Sequence, residues 1–163
     1  MSAVTEHLQR RGIRFEVVTH PRAVTSLEEA LALGIQADEV LKTIVLDTGD
    51  GHVLAVVPAS RRLDMRRVHL ATGDAHARLA SEEEVAGSFP EIELGSFPPL
   101  GSLFRASMLV DPEVLTHETV VAAAGSQTES IRARVEDLLK DEDVRVVEIS
   151  RHPEEEDHPS DLL

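Results

Sequence analysis

Lys42 is the most informative single residue of the sequence. It lies in Val40-Leu-Lys-Thr-Ile-Val-Leu46, where Val40, Ile44 and Leu46 share its face and Leu41 and Val45 take the other. A strand apolar on both faces is usually buried on both. A lysine inside it must find a partner, shift its pKa or open onto a cleft, because unpaired ammonium groups are almost never fully buried. The alternative is a lysine near the strand's wet end that snorkels to water. A second candidate is Leu94-Gly-Ser-Phe-Pro-Pro-Leu-Gly101, where two glycines bracket a rigid Pro-Pro pair. Such a loop can bring backbone N–H groups up to a carbonyl oxygen or an oxyanion, or it can be an ordinary irregular connection. The third is Ala122-Ala-Ala-Gly-Ser-Gln-Thr-Glu-Ser-Ile131. Small residues leave room there, and Ser126, Gln127 and Thr128 offer donors and acceptors. A strand end with a tight polar turn fits the same residues.

Other chemistry is poorly represented. The sequence holds no P-loop, dinucleotide fingerprint or nucleophile elbow. Eight histidines are scattered, and only His69 and His76 approach metal-ligand spacing, without carboxylates on a shared element. No metal site and no cofactor are expected. The chain has no cysteine, which excludes disulfides, thiolate metal sites and a protein thiol nucleophile.

These residues need elements to position them. Residues 3–11 read as a short helix, and Ile13, Phe15 and Val17 alternate as a half-buried strand. Thr25-Ser-Leu-Glu28 is a capping box that opens a helix stopping at Gly34. Val40–Leu46 and His52–Val57 are strands joined through Asp47-Thr-Gly-Asp-Gly51. Asp64–Ala71 and Ser81–Ala86 read as short helices, Ser107–Val110 and Thr119–Ala124 as strands. Ile131, Val135, Leu138 and Leu139 mark a helix, and Val144–Ile149 a last strand. The sum is an α+β domain with a mixed sheet and short flanking helices, spanning 1–149. Residues 150–163, acidic and broken by prolines, read as a disordered tail.

Composition narrows the setting. The 163 residues are one domain's length, and 42% of them are hydrophobic. No apolar run reaches membrane-spanning length, and the start lacks a secretory pattern, so a cytoplasmic protein without membrane association is expected. The net charge of −14 argues against strong nucleic-acid binding. Arg61-Arg-Leu-Asp-Met-Arg-Arg67 is nonetheless locally basic: a solvated helix face, or a phosphate-binding patch.

Taken together, Val18-Thr-His-Pro21, Leu41-Lys-Thr-Ile-Val45, Val57–Asp64, Gly95–Gly101, Val110-Asp111 and Ala124–Ile131 occur in an order that resembles the bacterial aminoacyl-tRNA editing domains. These include the Cys-tRNA(Pro) and Ala-tRNA(Pro) deacylases and the insertion in bacterial prolyl-tRNA synthetases. The likeness runs from about Gly12 to Ile149. It implies the fold of that family and a trans-editing hydrolase that removes a small amino acid from a mischarged tRNA, without metal or covalent intermediate. Water, or the substrate's own thiol, attacks the ester. By the same resemblance Lys42, Gly95, Pro99 and Gly101 form the catalytic site. Gly125, Ser126, Gln127, Thr128 and Asp111 contact substrate, and Arg61, Arg62, Arg66 and Arg67 contact tRNA. Mischarged tRNA is the implied transient partner, and a synthetase a further candidate. One departure stands out: Gln127 occupies a position where relatives often carry His, and a neutral amide can only hydrogen-bond. The rival reading is a non-catalytic module of the same fold that binds tRNA or an aminoacyl-like ligand.

Overall fold

The computed structural model describes residues 2–153. Helix α1 (Ala3–Arg10) is capped by Ser2, and β1 (Phe15–Thr19) follows. Thr25 accepts the Glu28 N–H and opens α2 (Ser26–Leu33). A 3₁₀ turn leads into β2 (Val40–Thr48), which forms a hairpin with β3 (Gly51–Pro58). Short β4 (Arg62–Leu63), α3 (Met65–Thr72), β5 (Arg78–Leu79) and α4 (Glu82–Ser88) come next. Asp64 caps α3, and a Ser81/Glu84 capping box opens α4. A long loop then reaches β6 (Ser107–Val110), β7 (Thr119–Ser126), β8 (Glu129–Arg134), α5 (Val135–Leu139), β9 (Val144–Val146) and β10 (Ser150–Arg151).

The main sheet is mixed, in the order β1-β8-β7-β2-β3-β6-β9, with β5 added to β2; β10 pairs separately with β4. One face packs Leu41, Val45, Leu54 and Val56 against Leu8 of α1, Leu100 and Leu138. The other packs Leu46, Ala55 and Val57 against Val68 of α3 and Ile149. A smaller cluster joins Ala30 of α2 to Val40 and Val121. The strand carrying Lys42 is thus covered on both faces, as its double apolar pattern requires.

Two expected elements differ. The helix expected from Ile131 to Leu139 is a strand followed by the five-residue α5. Ile131 pairs with Ala122 and Arg134 with Thr119, so the chain folds back on β7 as a hairpin. Ladder pairing decides here over the helical spacing of Ile131, Val135 and Leu138. The last strand is also shorter, ending at Val146. The ordered chain continues past Ile149, because Ser150 is fully buried and pairs with Leu63. The rest of the expected tail, residues 154–163, lies outside the described residues.

Asp111, expected among the substrate contacts, has a different task. Its side chain is 2% exposed, and its carboxylate accepts the backbone N–H groups of Glu113, Ile149 and Ser150, each at 2.9 Å. It fastens the C-terminal segment to the end of β6. Replacing it leaves those donors buried and unpaired, and hydrogen bonds to a charged group are the costly ones to lose. Asp111→Ala is expected to lower stability by roughly 3 kcal/mol, read from the urea midpoint at unchanged slope.

Candidate active site

Strand β2 is incompletely paired on one edge. Its start, Val40 and Leu41, runs parallel to Val121 and Ala122 of β7, and Leu46 and Asp47 pair with β5. Between them β7 departs from β2, with an irregularity in its register between Ala123 and Ser126. The chain at 93–96 takes the vacated edge of β7. Glu93 N donates to Gly125 O and Gly125 N to Ser96 O, both at 2.9 Å. This loop therefore sits in the opening of the sheet, over Lys42 and Thr43.

Gly95 makes that position sterically accessible. Its φ is +77°, and a Cβ there would lie 1.6 Å from the Val24 carbonyl oxygen. The loop is anchored behind Gly95 by Phe97, whose ring meets Phe89 and Phe104 at centroid distances of 5.2 and 4.4 Å. A pocket of about 380 Å³ remains, bounded by the start of α2 (Val24–Leu27), by Leu41, Lys42 and Thr43, by Gly95 and Phe97, and by Ala123. A smaller cavity of about 170 Å³ adjoins it, sharing Thr43, Gly95 and Phe97 and reaching Val85 and Ile92.

Lys42 is half-buried at this pocket, and its Nζ donates to the Arg61 carbonyl oxygen at 3.0 Å. An ammonium has three donors, so two remain for a ligand. Burial pulls its pKa below the ordinary lysine value, and the positive charge of Arg62 adds to this. Thr43 Oγ1 is buried without a hydrogen-bond partner, and Thr43 lines both cavities. Among the described residues the N–H groups of Gly95 and Phe97 are not used in backbone hydrogen bonds. Lys42, Thr43, Gly95 and Phe97 thus line one small space.

The other sequence candidates are distributed differently. Pro99 and Gly101 are buried behind the loop, and a Cβ on Gly101 would lie 2.2 Å from Ala106 O; both support the loop and neither lines the pocket. Gly125 holds the loop through its backbone. Gln127, expected to contact substrate, is 7% exposed and clamps the loop instead. Its Nε2 donates to Leu94 O at 2.9 Å, its N–H to Glu93 Oε1 at 3.0 Å, and its Oε1 accepts from Arg22 Nε. Ser126 and Thr128 bond one another in the β7–β8 turn, with their hydroxyls 3.1 Å apart. The β7 residue that lines the pocket is Ala123. Of the arginines, Arg61 donates to Ser150 Oγ at 2.7 Å and Arg67 to Ser150 O, so both tie down the C-terminal strand. Arg62 and Arg66 are exposed. The residues that sequence reasoning missed are Thr43 and the Val24–Leu27 wall. Thr43 adjoins Lys42, and the wall coincides with the capping box, the signals that could have marked them.

Residues 20–140 match the family described as aminoacyl-tRNA editing domain. The chain belongs to this family. Relatives include the proline–tRNA ligases of Thermosipho melanesiensis, 28% identical over 86 residues, and Streptomyces coelicolor, 30% identical over 100 residues. These matches cover 53% and 61% of this editing domain protein but only 15% and 17% of the ligases. A crystal structure of a candidate trans-editing enzyme for prolyl tRNA synthetase is similar at TM-score 0.81 and 27% identity, over 91% of this chain and 95% of that one. A hypothetical protein shares the fold at TM-score 0.83 and 22% identity, over 92% and 100% of the two chains. Among the described residues no helix is long and apolar enough to cross a membrane.

The editing domain's pocket should fail first at Gly95. Gly95→Ala introduces a clash with backbone and strain at positive φ, expected to cost roughly 3 kcal/mol. Denaturant titration checks this, and amide exchange should localise the loosening to 93–97 and the chain around Val24.

Proposed function

We propose that this protein is a trans-editing hydrolase that deacylates mischarged aminoacyl-tRNA, with a tRNA(Pro) carrying a small amino acid such as Ala or Cys as substrate. The supporting observation is the half-buried Lys42, with two spare donors, beneath a loop whose Gly95 and Phe97 N–H groups are unused. The similarity to prolyl-tRNA ligases supports the choice of tRNA. In this reading the Lys42 ammonium holds the charged 3′ end of the tRNA. The backbone N–H groups of the loop donate to the ester carbonyl oxygen and stabilise the charge that develops on it. Water, or the thiol of a cysteinyl substrate, attacks the carbonyl carbon; the tetrahedral intermediate collapses and releases the ribose hydroxyl with the attacking group's proton. The ester is already labile, so positioning and oxyanion stabilisation supply the needed acceleration. One oxyanion donor is worth on the order of 3 kcal/mol, a hundredfold or more in rate. Arg62 and Arg66 are the candidate phosphate contacts, and a synthetase is a candidate delivery partner.

Lys42→Ala is expected to abolish deacylation while far-UV circular dichroism and the melting transition stay native. The assay follows loss of ester from a panel of mischarged tRNAs. A Lys42→Ala protein that remains fully active overturns the assignment, and tight binding without hydrolysis by the wild type favours the binding module.

The pH dependence has a definite sign. The charged amine is the binding form, and its pKa is depressed by burial. Enzyme-dependent hydrolysis should therefore decline as pH rises through that lowered value, before the ordinary lysine range is reached. Initial rates corrected for spontaneous hydrolysis check this. Lys42→Arg should remove the decline, because a guanidinium stays protonated throughout.

A further inference from the structure

One turn into α2 from the pocket wall, a buried carboxyl and a buried hydroxyl meet a half-buried imidazole. Glu29 is 4% exposed and Ser130 is fully buried. Ser130 Oγ is hydrogen-bonded to Glu29 Oε2 and also lies 2.8 Å from His20 Nε2. The other ring nitrogen, Nδ1, is 2.8 Å from the Pro21 carbonyl oxygen. A carbonyl only accepts, so Nδ1 carries a hydrogen.

Proton counting then restricts the trio. Ser130 has one hydrogen and stands between two groups. If Glu29 is ionised and His20 neutral, both neighbours are acceptors, and one of the two contacts lacks a proton. Both contacts are satisfied only when the trio holds one more. That proton sits either on Nε2, as an imidazolium donating to Ser130 while Ser130 donates to the carboxylate, or on the carboxyl, with every donor reversed. The two forms interconvert as Nε2 passes its proton to Ser130 Oγ and Ser130 passes its own to Glu29. Net charge is unchanged.

We propose that His20, Ser130 and Glu29 form a proton-holding relay that positions the start of α2 against the pocket, and that loss of the shared proton breaks one of its two hydrogen bonds. The relay is placed to act there. His20 N donates to Thr128 O at 3.0 Å and Ala23 N to Gln127 O at 2.8 Å, which dock the segment leading into α2 on the β7–β8 turn. Thr25, Ser26 and Leu27 then form one side of the pocket. Burial is the leading cause that raises the Glu29 pKa, while the Ser130 hydrogen bond and His20 act the other way. Facing Glu29 are His20 from the end of β1 and Ser130 from β8. On α2 itself, the exposed Glu28 turns its carboxylate to the Val24 N–H at 3.1 Å. Glu29 therefore holds its proton more tightly in the native state than in the unfolded chain, and its contribution to stability falls as pH rises from the ordinary carboxyl range through the raised value. The effect on catalysis rests on the deacylase reading of the pocket; the relay itself does not.

The test uses the free protein without tRNA, so its failure is distinct from failure of that reading. Denaturation midpoints are measured across pH for the wild type, Glu29→Gln, Glu29→Ala and Ser130→Ala, with NMR shifts of the Thr25–Leu27 amides recorded alongside. The amide of Glu29→Gln supplies the missing donor permanently. It is expected to match or exceed wild-type stability at neutral pH, to flatten the decline with pH, and to abolish a titration that the Thr25–Leu27 amides show in the wild type. Glu29→Ala and Ser130→Ala are expected to lose stability. The relay is overturned if Glu29→Gln is as destabilised as Glu29→Ala with the pH slope intact, or if the Thr25–Leu27 amides of the wild type do not titrate.

Discussion

Two backbone hydrogen bonds between Gly125 and the 93–96 loop hold the architecture of the site together. Through them a non-regular segment occupies an edge of β7 that would otherwise continue along β2. A mixed sheet closed at this place would seal Lys42 between ladders. The inserted loop instead leaves an opening whose roof carries backbone donors and whose floor carries an ammonium. Aromatic packing around Phe97 and the side-chain bonds of Gln127 fix the loop from behind. The cavity is thus a product of interrupted pairing.

Much of this was readable from local residue patterns. The doubly apolar run around Lys42, the capping box at Thr25 and the Gly-Pro loop each specify their geometry within a few residues, and each lies at the pocket. The β8 strand was not readable, because Ile131, Val135 and Leu138 satisfy a helical period and only pairing with β7 distinguishes the two. The facing of the Ala122–Thr128 stretch was hidden for a related reason. An irregularity between Ala123 and Ser126 shifts the alternation, so Ala123 reaches the pocket while Gln127 turns to the loop. The bonds of Asp111, Arg61 and Arg67 to Ser150 were not readable, because that partner lies some forty to ninety positions away.

Gln127 also changes meaning once its contacts are known. An amide in place of an imidazole would matter to catalysis if it faced the substrate. Here it bridges Arg22 and Leu94, two groups whose separation an amide spans with one acceptor and one donor. Its contacts set the shape of the loop, and the pocket is lined by other groups.

The convergence on Ser150 bears on how the domain can be cut or joined. Asp111, Arg61 and Arg67 all bond this one residue, and the Arg61 carbonyl in turn receives Lys42. The C-terminal strand is consequently the far end of a chain of contacts that begins at the pocket lysine. A fusion junction or protease site placed before Ser150 would separate the latch from the residue it helps to seat; one placed beyond His152 would leave the latch whole.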